Sequence, residues 1–157
     1  MNDTLKLASA RESISRLSTV DAAWPVLAGE VITQLRRVLG FDAFCASQND
    51  PRVPLPAAAL ADNDAVSSRQ RRFWQIEMQQ PDVNKTRDLT TADCPVGILS
   101  VSTDGDLARS THWREVLDPG GIGDELRAAL MADGRWWGSL SLYRVARPGP
   151  PDGVASC

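Results

Sequence analysis

Apolar and small residues recur in steps of three and four from the start of the chain: Leu7, Ala10, Ile14 and Leu17, then Trp24, Ala28, Val31, Leu35 and Val38. That is the period of a helix face. Asp21 interrupts the stripe, and Pro25 belongs in a first turn or at a kink, so the spacing predicts two helices, the second closed by Gly40 at C′. The seam has two readings: both helices lie on the protein's own sheet, or the stripe pairs with a second copy of the chain.

After Gly40 the period changes. Phe41, Ala43 and Cys45 alternate with Asp42, Phe44 and Ala46, which predicts a strand over 41–47 with aromatic side chains on both sides. Asn49, Asp50, Pro51 and Pro54 mark a turn or short loop, and Ala57–Ala61 a second short strand. Asp64 is placed to cap a helix running to Gln80, with Val66, Phe73, Ile76 and Trp74 facing inward and Pro81 ending it. Residues 82–95 read as loop. Val96–Val101 reads as a short apolar strand, and Asp104 or Asp106 opens a helical segment holding Leu107, Ala108, Trp113, Val116 and Leu117, stopped by Pro119, Gly120 and Gly121.

The last hairpin has a register that can be argued. A two-residue turn at Asp133-Gly134 pairs Leu130 with Trp137 and puts the apolar sets of its two strands on opposite faces, which is wrong for one core. A three-residue loop, Ala132–Gly134, pairs Leu130 with Trp136 and Leu126 with Leu140, with Gly134 in the left-handed position. The three-residue loop is therefore expected. From Arg147 the chain is rich in Pro and Gly (Pro148, Pro150, Pro151, Gly153), so the fold should finish near Val145 and a linker-like tail follow.

Composition narrows the function. At 157 residues, 43% hydrophobic and 24% charged, the chain suits one folded domain. Its net charge of -3 supplies no general field toward phosphate backbones or anionic lipid, so direct nucleic-acid binding is not expected. The N-terminal stretch has no apolar run of signal-peptide or membrane-spanning length, which suggests a cytoplasmic protein. Cys45, Cys94 and Cys157 stand at unrelated spacings and read as free thiols.

Catalytic and metal chemistry find little support. His112 is the one histidine; Ser110 and His112, two residues apart, point to different sides of a helix, and no GxSxG elbow exposes a nucleophile. One histidine and scattered cysteines make no metal-ligand spacing, and no metal is expected. Asp82, Asp88 and Asp93 have turn roles as their first explanation. Gly120, Gly121 and Gly123 form neither a GxGxxG nor a P-loop.

Four segments carry a family resemblance: Asp106-Leu107-Ala108-Arg109-Ser110, Trp113-Arg114-Glu115-Val116-Leu117, Gly123-Asp124-Glu125-Leu126-Arg127 and Trp137-Gly138-Ser139-Leu140. Together with Leu39-Gly40-Phe41-Asp42-Ala43 and Phe73-Trp74-Gln75, they make residues 20–146 resemble the N-terminal GAF-like domain of actinobacterial LuxR-type helix-turn-helix regulators. The resemblance implies an α/β (α+β) fold, a GAF/PAS-like central antiparallel sheet flanked by helices. With the helical stripe and the Pro/Gly pattern, the chain divides into an N-terminal helix at 1–20 that is a candidate dimer contact, the GAF-like domain at 21–146, and the tail at 147–157. The resemblance also implies a non-catalytic signal-input role. The chain departs from the pattern in lacking a basic helix-turn-helix, so it reads as a fragment or as a free-standing relative with a protein-contact output.

Trp74, Trp113, Trp136 and Trp137 fall in the half where such domains hold ligands. A small apolar or aromatic ligand would have Phe73, Trp74, Trp113 and Leu117 as walls, with Arg72 or Arg114 meeting an acidic group. The plainer account makes the tryptophans core and the arginines solvated surface, in a ligand-free structural or homodimerisation module. No cofactor is required by the sequence. A thiol-dependent reductase of the same fold would need cysteines placed together, and no such motif is matched.

Overall fold

The computed structural model describes residues 3–62 and 68–147. Two helices open it, α1 (Asp3–Leu17) and α2 (Trp24–Leu39). Pro25 sits in the first turn of α2, and Gly40 ends that helix at φ 58°, a left-handed conformation that glycine adopts without a Cβ clash. α1 packs on α2. Ala10 is buried and Ile14 and Leu17 half-buried, but Leu7 is 52% exposed, so α2 covers only the C-terminal half of the expected stripe.

Five antiparallel strands form one sheet in the order β2-β1-β5-β4-β3: β1 (Ala43–Asp50), β2 (Val53–Ala61), β3 (Val96–Ile98), β4 (Ile122–Ala132) and β5 (Arg135–Val145). This mixed α/β architecture, a central antiparallel sheet flanked by helices, is the one the resemblance implies. β1 and β2 are both longer than expected, and the turn between them shrinks to Pro51-Arg52, where Asp50 Oδ1 accepts the Arg52 N–H at 2.9 Å. β2 is an edge strand, which is why it tolerates Pro54 and Pro56.

The sheet is covered on both faces. Phe44 and Ala46 of β1, Ala128 of β4, and Leu140 and Leu142 of β5 meet Ile32, Leu35 and Leu39 of α2. The opposite face packs Ala43, Ile122 and Tyr143 against a second set of short elements, with Ile76, Leu99, Val116 and Leu117 in the cluster.

Those short elements depart from the sequence reading. The helix expected from Asp64 is α3 (Gln70–Gln79); Asp64 and Val66 lie outside the described residues, as does the tail with Cys157. Residues 82–95 are not plain loop, because α4 (Thr86–Leu89) forms one turn whose first N–H, that of Thr86, donates to the Glu77 carboxylate at 2.6 Å. The strand expected over Val96–Val101 stops at Ile98 and turns into α5 (Leu99–Ser102), where Ser100 donates through N–H (3.0 Å) and Oγ (2.6 Å) to Asp124. The helix expected from Asp104 or Asp106 is broken. A 3-10 turn, Leu107–Arg109, ends at Ser110, and a π-helical turn, Trp113–Leu117, follows with Ser110 Oγ accepting the Trp113 N–H at 3.0 Å.

The hairpin corrects the expected loop. The turn holds two residues, Asp133 (φ 51°) and Gly134 (φ 69°), and Ala132 pairs with Arg135 and Met131 with Trp136. The register then shifts, Leu130 pairing with Gly138, so Trp137 is an extra residue on β5. Beyond that bulge Ala128 pairs with Leu140 and Leu126 with Leu142. The requirement that both apolar sets share a face is met, but the additional residue sits in the strand and not in the loop.

Candidate functional site

Alternation along β4 sends Leu126 and Ala128 toward α2 and Glu125 and Arg127 to the opposite face. In a sheet covered on one side, those charges would meet water. Here Glu125 and Arg127 are each only 3% exposed, Glu77 of α3 is 7% and His112 is 5%. Arg127 organises the group. Its Nε (3.2 Å) and NH2 (3.1 Å to each oxygen) donate to Glu125, and its NH1 donates to Glu77 Oε2 (3.1 Å) and to the Asn84 carbonyl (3.2 Å). NH2 also donates to His112 Nε2 at 2.9 Å, and the guanidinium lies 5.3 Å from the Phe73 ring centroid.

Electrostatics follow from that geometry. Burial alone would push the Glu125 carboxyl up; the Arg127 guanidinium, then His112, outweigh it and hold Glu125 at about 2. Burial works against the charge on Arg127 too, and Glu125 and Glu77 overcome it, so Arg127 titrates above its ordinary range. Burial and then Glu125 push the neighbouring Tyr143 phenol up, and the same two causes push up the Cys45 thiol. His112 Nε2 also lies 3.3 Å from Glu125 Oε2, and Nδ1 has no hydrogen-bond partner among the described residues.

Of the aromatic residues named from sequence, Phe73, Trp74 and Trp113 lie on this side of the sheet, whereas Trp136 and Trp137 stand at the turn end of β5. Phe73 lies edge-on to His112 (centroids 5.4 Å apart) and to Trp74 (5.0 Å). Trp113 packs against the same cluster and donates from Nε1 to the Ile122 carbonyl at 3.2 Å, and Leu117 is fully buried. Arg72 and Arg114 are not drawn to that interior. Arg72 pairs with Glu115 and reaches Gln80 Oε1 (3.3 Å); Arg114 donates to the Ala108 carbonyl and to Thr111 Oγ1 (3.0 Å). Among the described residues, a cleft of about 800 Å³ opens beside Arg37, Asp42, Arg144 and Arg147 and another of about 500 Å³ beside Asn49 and Trp137; none of the six residues lines either.

Ser110 and His112 do not face each other as nucleophile and base. Ser110 Oγ donates to Asp82 Oδ2 (3.2 Å), the same oxygen accepts the His112 N–H (2.6 Å), and the imidazole turns to Arg127. Cys45 is half-buried and Cys94 exposed, both as free thiols, and with its thiol pushed up Cys45 has no thiolate character to offer. Among the described residues no group of three metal-ligating side chains occurs, and no helix is long and apolar enough to cross a membrane.

The sequence reading missed Glu77, Glu125 and Arg127. The signal was present as Glu-Leu-Arg-Ala at 125–128, but alternating charge in a strand ordinarily marks a solvated face. Only the packing of α3 and the π-helical turn over that face turns it inward.

No protein-family model matches the chain, and no curated protein matches it. Solved structures do. The chain resembles the chromophore-binding domain of an unusual bacteriophytochrome from R. palustris over 89% of its length (TM-score 0.53, 17% identity, 52% of that chain). It resembles Escherichia coli SdiA over 92% (TM-score 0.56, 18% identity, 58% of that chain). SdiA in complex with octanoyl-rac-glycerol matches over 96% (TM-score 0.58, 21% identity, 59% of that chain). At these identities the likeness is one of fold, and the chain spans between half and three-fifths of each of those structures.

Proposed function

We propose that this chain is the signal-input domain of a cytoplasmic transcriptional regulator, a non-catalytic GAF-like module that senses a small molecule or a partner and works as a homodimer. The observation that supports it best is the interior of the second sheet face. It joins a fully buried Arg127–Glu125–Glu77–His112 network to an aromatic wall of Phe73, Trp74 and Trp113, the mixture of few polar anchors and much apolar surface that small-molecule sites use. A structure of similar fold, SdiA, is known in complex with octanoyl-rac-glycerol, and small-molecule binding is the property carried over here.

In this reading Phe73, Trp74, Trp113 and Leu117 wall the ligand, and Arg72 or Arg114 takes its acidic group, Arg72 exchanging Glu115 for it. The π-helical turn Trp113–Leu117 is the element whose arrangement the ligand biases, by a shift of population and not by turnover. A second reading, a ligand-free dimerisation module, is favoured by Arg127 and Leu117 themselves, which fill the interior with the protein's own side chains. Its surface would include Leu5 and Leu7 of α1, 60% and 52% exposed.

Native mass spectrometry of the purified chain separates them. A dimer carrying a small-molecule mass, with retention lost in Trp113→Ala, is the expected result. A bare dimer supports the dimerisation module instead, and a bare monomer whose melting temperature no candidate ligand raises removes both readings.

A further inference from the structure

We infer a second binding site, for a small planar aromatic carboxylate, in the cleft of about 500 Å³ at the turn ends of β1 and β5. Two irregularities meet there. On β2, Ala57 is extra between Pro56, the partner of Asn49, and Ala58, the partner of Gln48; on β5, Trp137 is extra between the partners of Met131 and Leu130. Bulges re-aim side chains, and both bulged residues line the cleft.

Three groups in the cleft lack what a ligand of that class supplies. Trp137 is 45% exposed, yet its Nε1 donates to the Ala132 carbonyl at 3.2 Å, so a held indole offers open ring surface for stacking. Asn49 is 3% exposed, and neither its Oδ1 nor its Nδ2 has a hydrogen-bond partner, a rare state for a buried amide. Arg52 is taken by Asp50 through two bonds (2.9 and 2.6 Å), whereas no carboxylate pairs with Arg135 among the described residues. A flat ring stacks on Trp137 and its carboxylate meets Arg135, while the Asn49 amide, enclosed behind the cleft wall in the free protein, turns to the polar ring edge for the partner it lacks. The size falls within the range of small-molecule sites. The site shares no residue with the Arg127 network and stands whether or not that interior holds a ligand.

The test uses the intact chain with quinoline-2-carboxylate, and quinoline-2-carboxamide as its uncharged counterpart, followed by calorimetry and ligand-observed NMR. For a ligand this small, a dissociation constant of about 1 mM or tighter is expected. The carboxamide binds roughly tenfold more weakly, Arg135→Ala erases that preference, and Trp137→Ala abolishes binding. Asn49→Leu also abolishes binding while leaving the melting temperature equal to or higher than that of the unsubstituted protein, since it removes an unpartnered amide. No saturable binding at millimolar probe, or binding that none of the three substitutions changes, overturns the proposal. A lowered melting temperature in Asn49→Leu does so too, because it makes the amide a structural group.

Discussion

Both faces of the sheet are buried, one by hydrocarbon and the other by hydrocarbon around a charged network. Against α2 the contacts are hydrocarbon: Ile32, Phe41, Phe44, Leu140 and Leu142. Against α3 and the π-helical turn the sheet presents Glu125, Arg127 and Tyr143, and the covering layer answers with Glu77 and His112. Hydrocarbon packing is non-directional and tolerates small rearrangements, whereas a buried guanidinium between two carboxylates holds only with each bond in place. One face therefore tolerates repacking, and the other depends on each of its polar partners.

The sharpest way to break this comparison is Arg127→Ala, which strands the Glu77 and Glu125 carboxylates in the interior. It should destabilise the domain by about 3–5 kcal/mol in urea unfolding. Replacing Arg127, Glu125 and Glu77 together by Met, Leu and Gln, the Gln keeping an acceptor for the Thr86 N–H, should instead be neutral or stabilising by about 1–4 kcal/mol, while any ligand retained by the unsubstituted protein is lost. A triple variant as unstable as Arg127→Ala would mean that the network holds the fold and the two faces share one role.

On the other face, Leu142→Ala removes a 4%-exposed side chain and should destabilise by about 2–5 kcal/mol through lost burial and a cavity, without moving any pH dependence. The charged face should show one. Glu125 is held at about 2, below its unfolded value, so its contribution is complete above the ordinary carboxylate range near 4.3 and declines as pH falls toward about 2. Near-UV circular dichroism should accordingly persist to about pH 3, and Arg127→Gln should move the loss of signal to higher pH. The smallest effect belongs to neither face: Leu7→Ser, at a 52%-exposed position, should shift the stability of a monomer by no more than about 0.5 kcal/mol. A larger, concentration-dependent shift would place α1 in a dimer contact.

Legibility differed between the faces for the same reason. The stripe through Trp24 and Leu35 and the alternation of Phe44, Ala46, Leu140 and Leu142 could be read directly, because a helix or strand that buries hydrocarbon writes its period into the chain. Phe73, Trp113 and Leu117 could be named as aromatic or apolar walls, and the structure gathers them. Arg72 and Arg114 were named from their place beside those residues, but their neighbours Glu115 and Ala108 hold them outside the network. α4 and α5 are single turns held by Glu77 and Asp124 from distant segments, and nothing local in residues 82–102 announces them.

By itself the sequence determined the helix pair, the boundary at Gly40, the strands that share one apolar face, and the need for an odd residue somewhere in the last hairpin. Each is a short-range consequence of periodicity or backbone stereochemistry. Only the tertiary structure decided that the odd residue is Trp137 in β5, that Ser110 divides the segment before β4, and that Glu125 and Arg127 face an interior. A charge in a strand carries no mark of burial. Whether it meets water or a guanidinium depends on what packs over it, and here that cover includes residues 15 and 50 positions away.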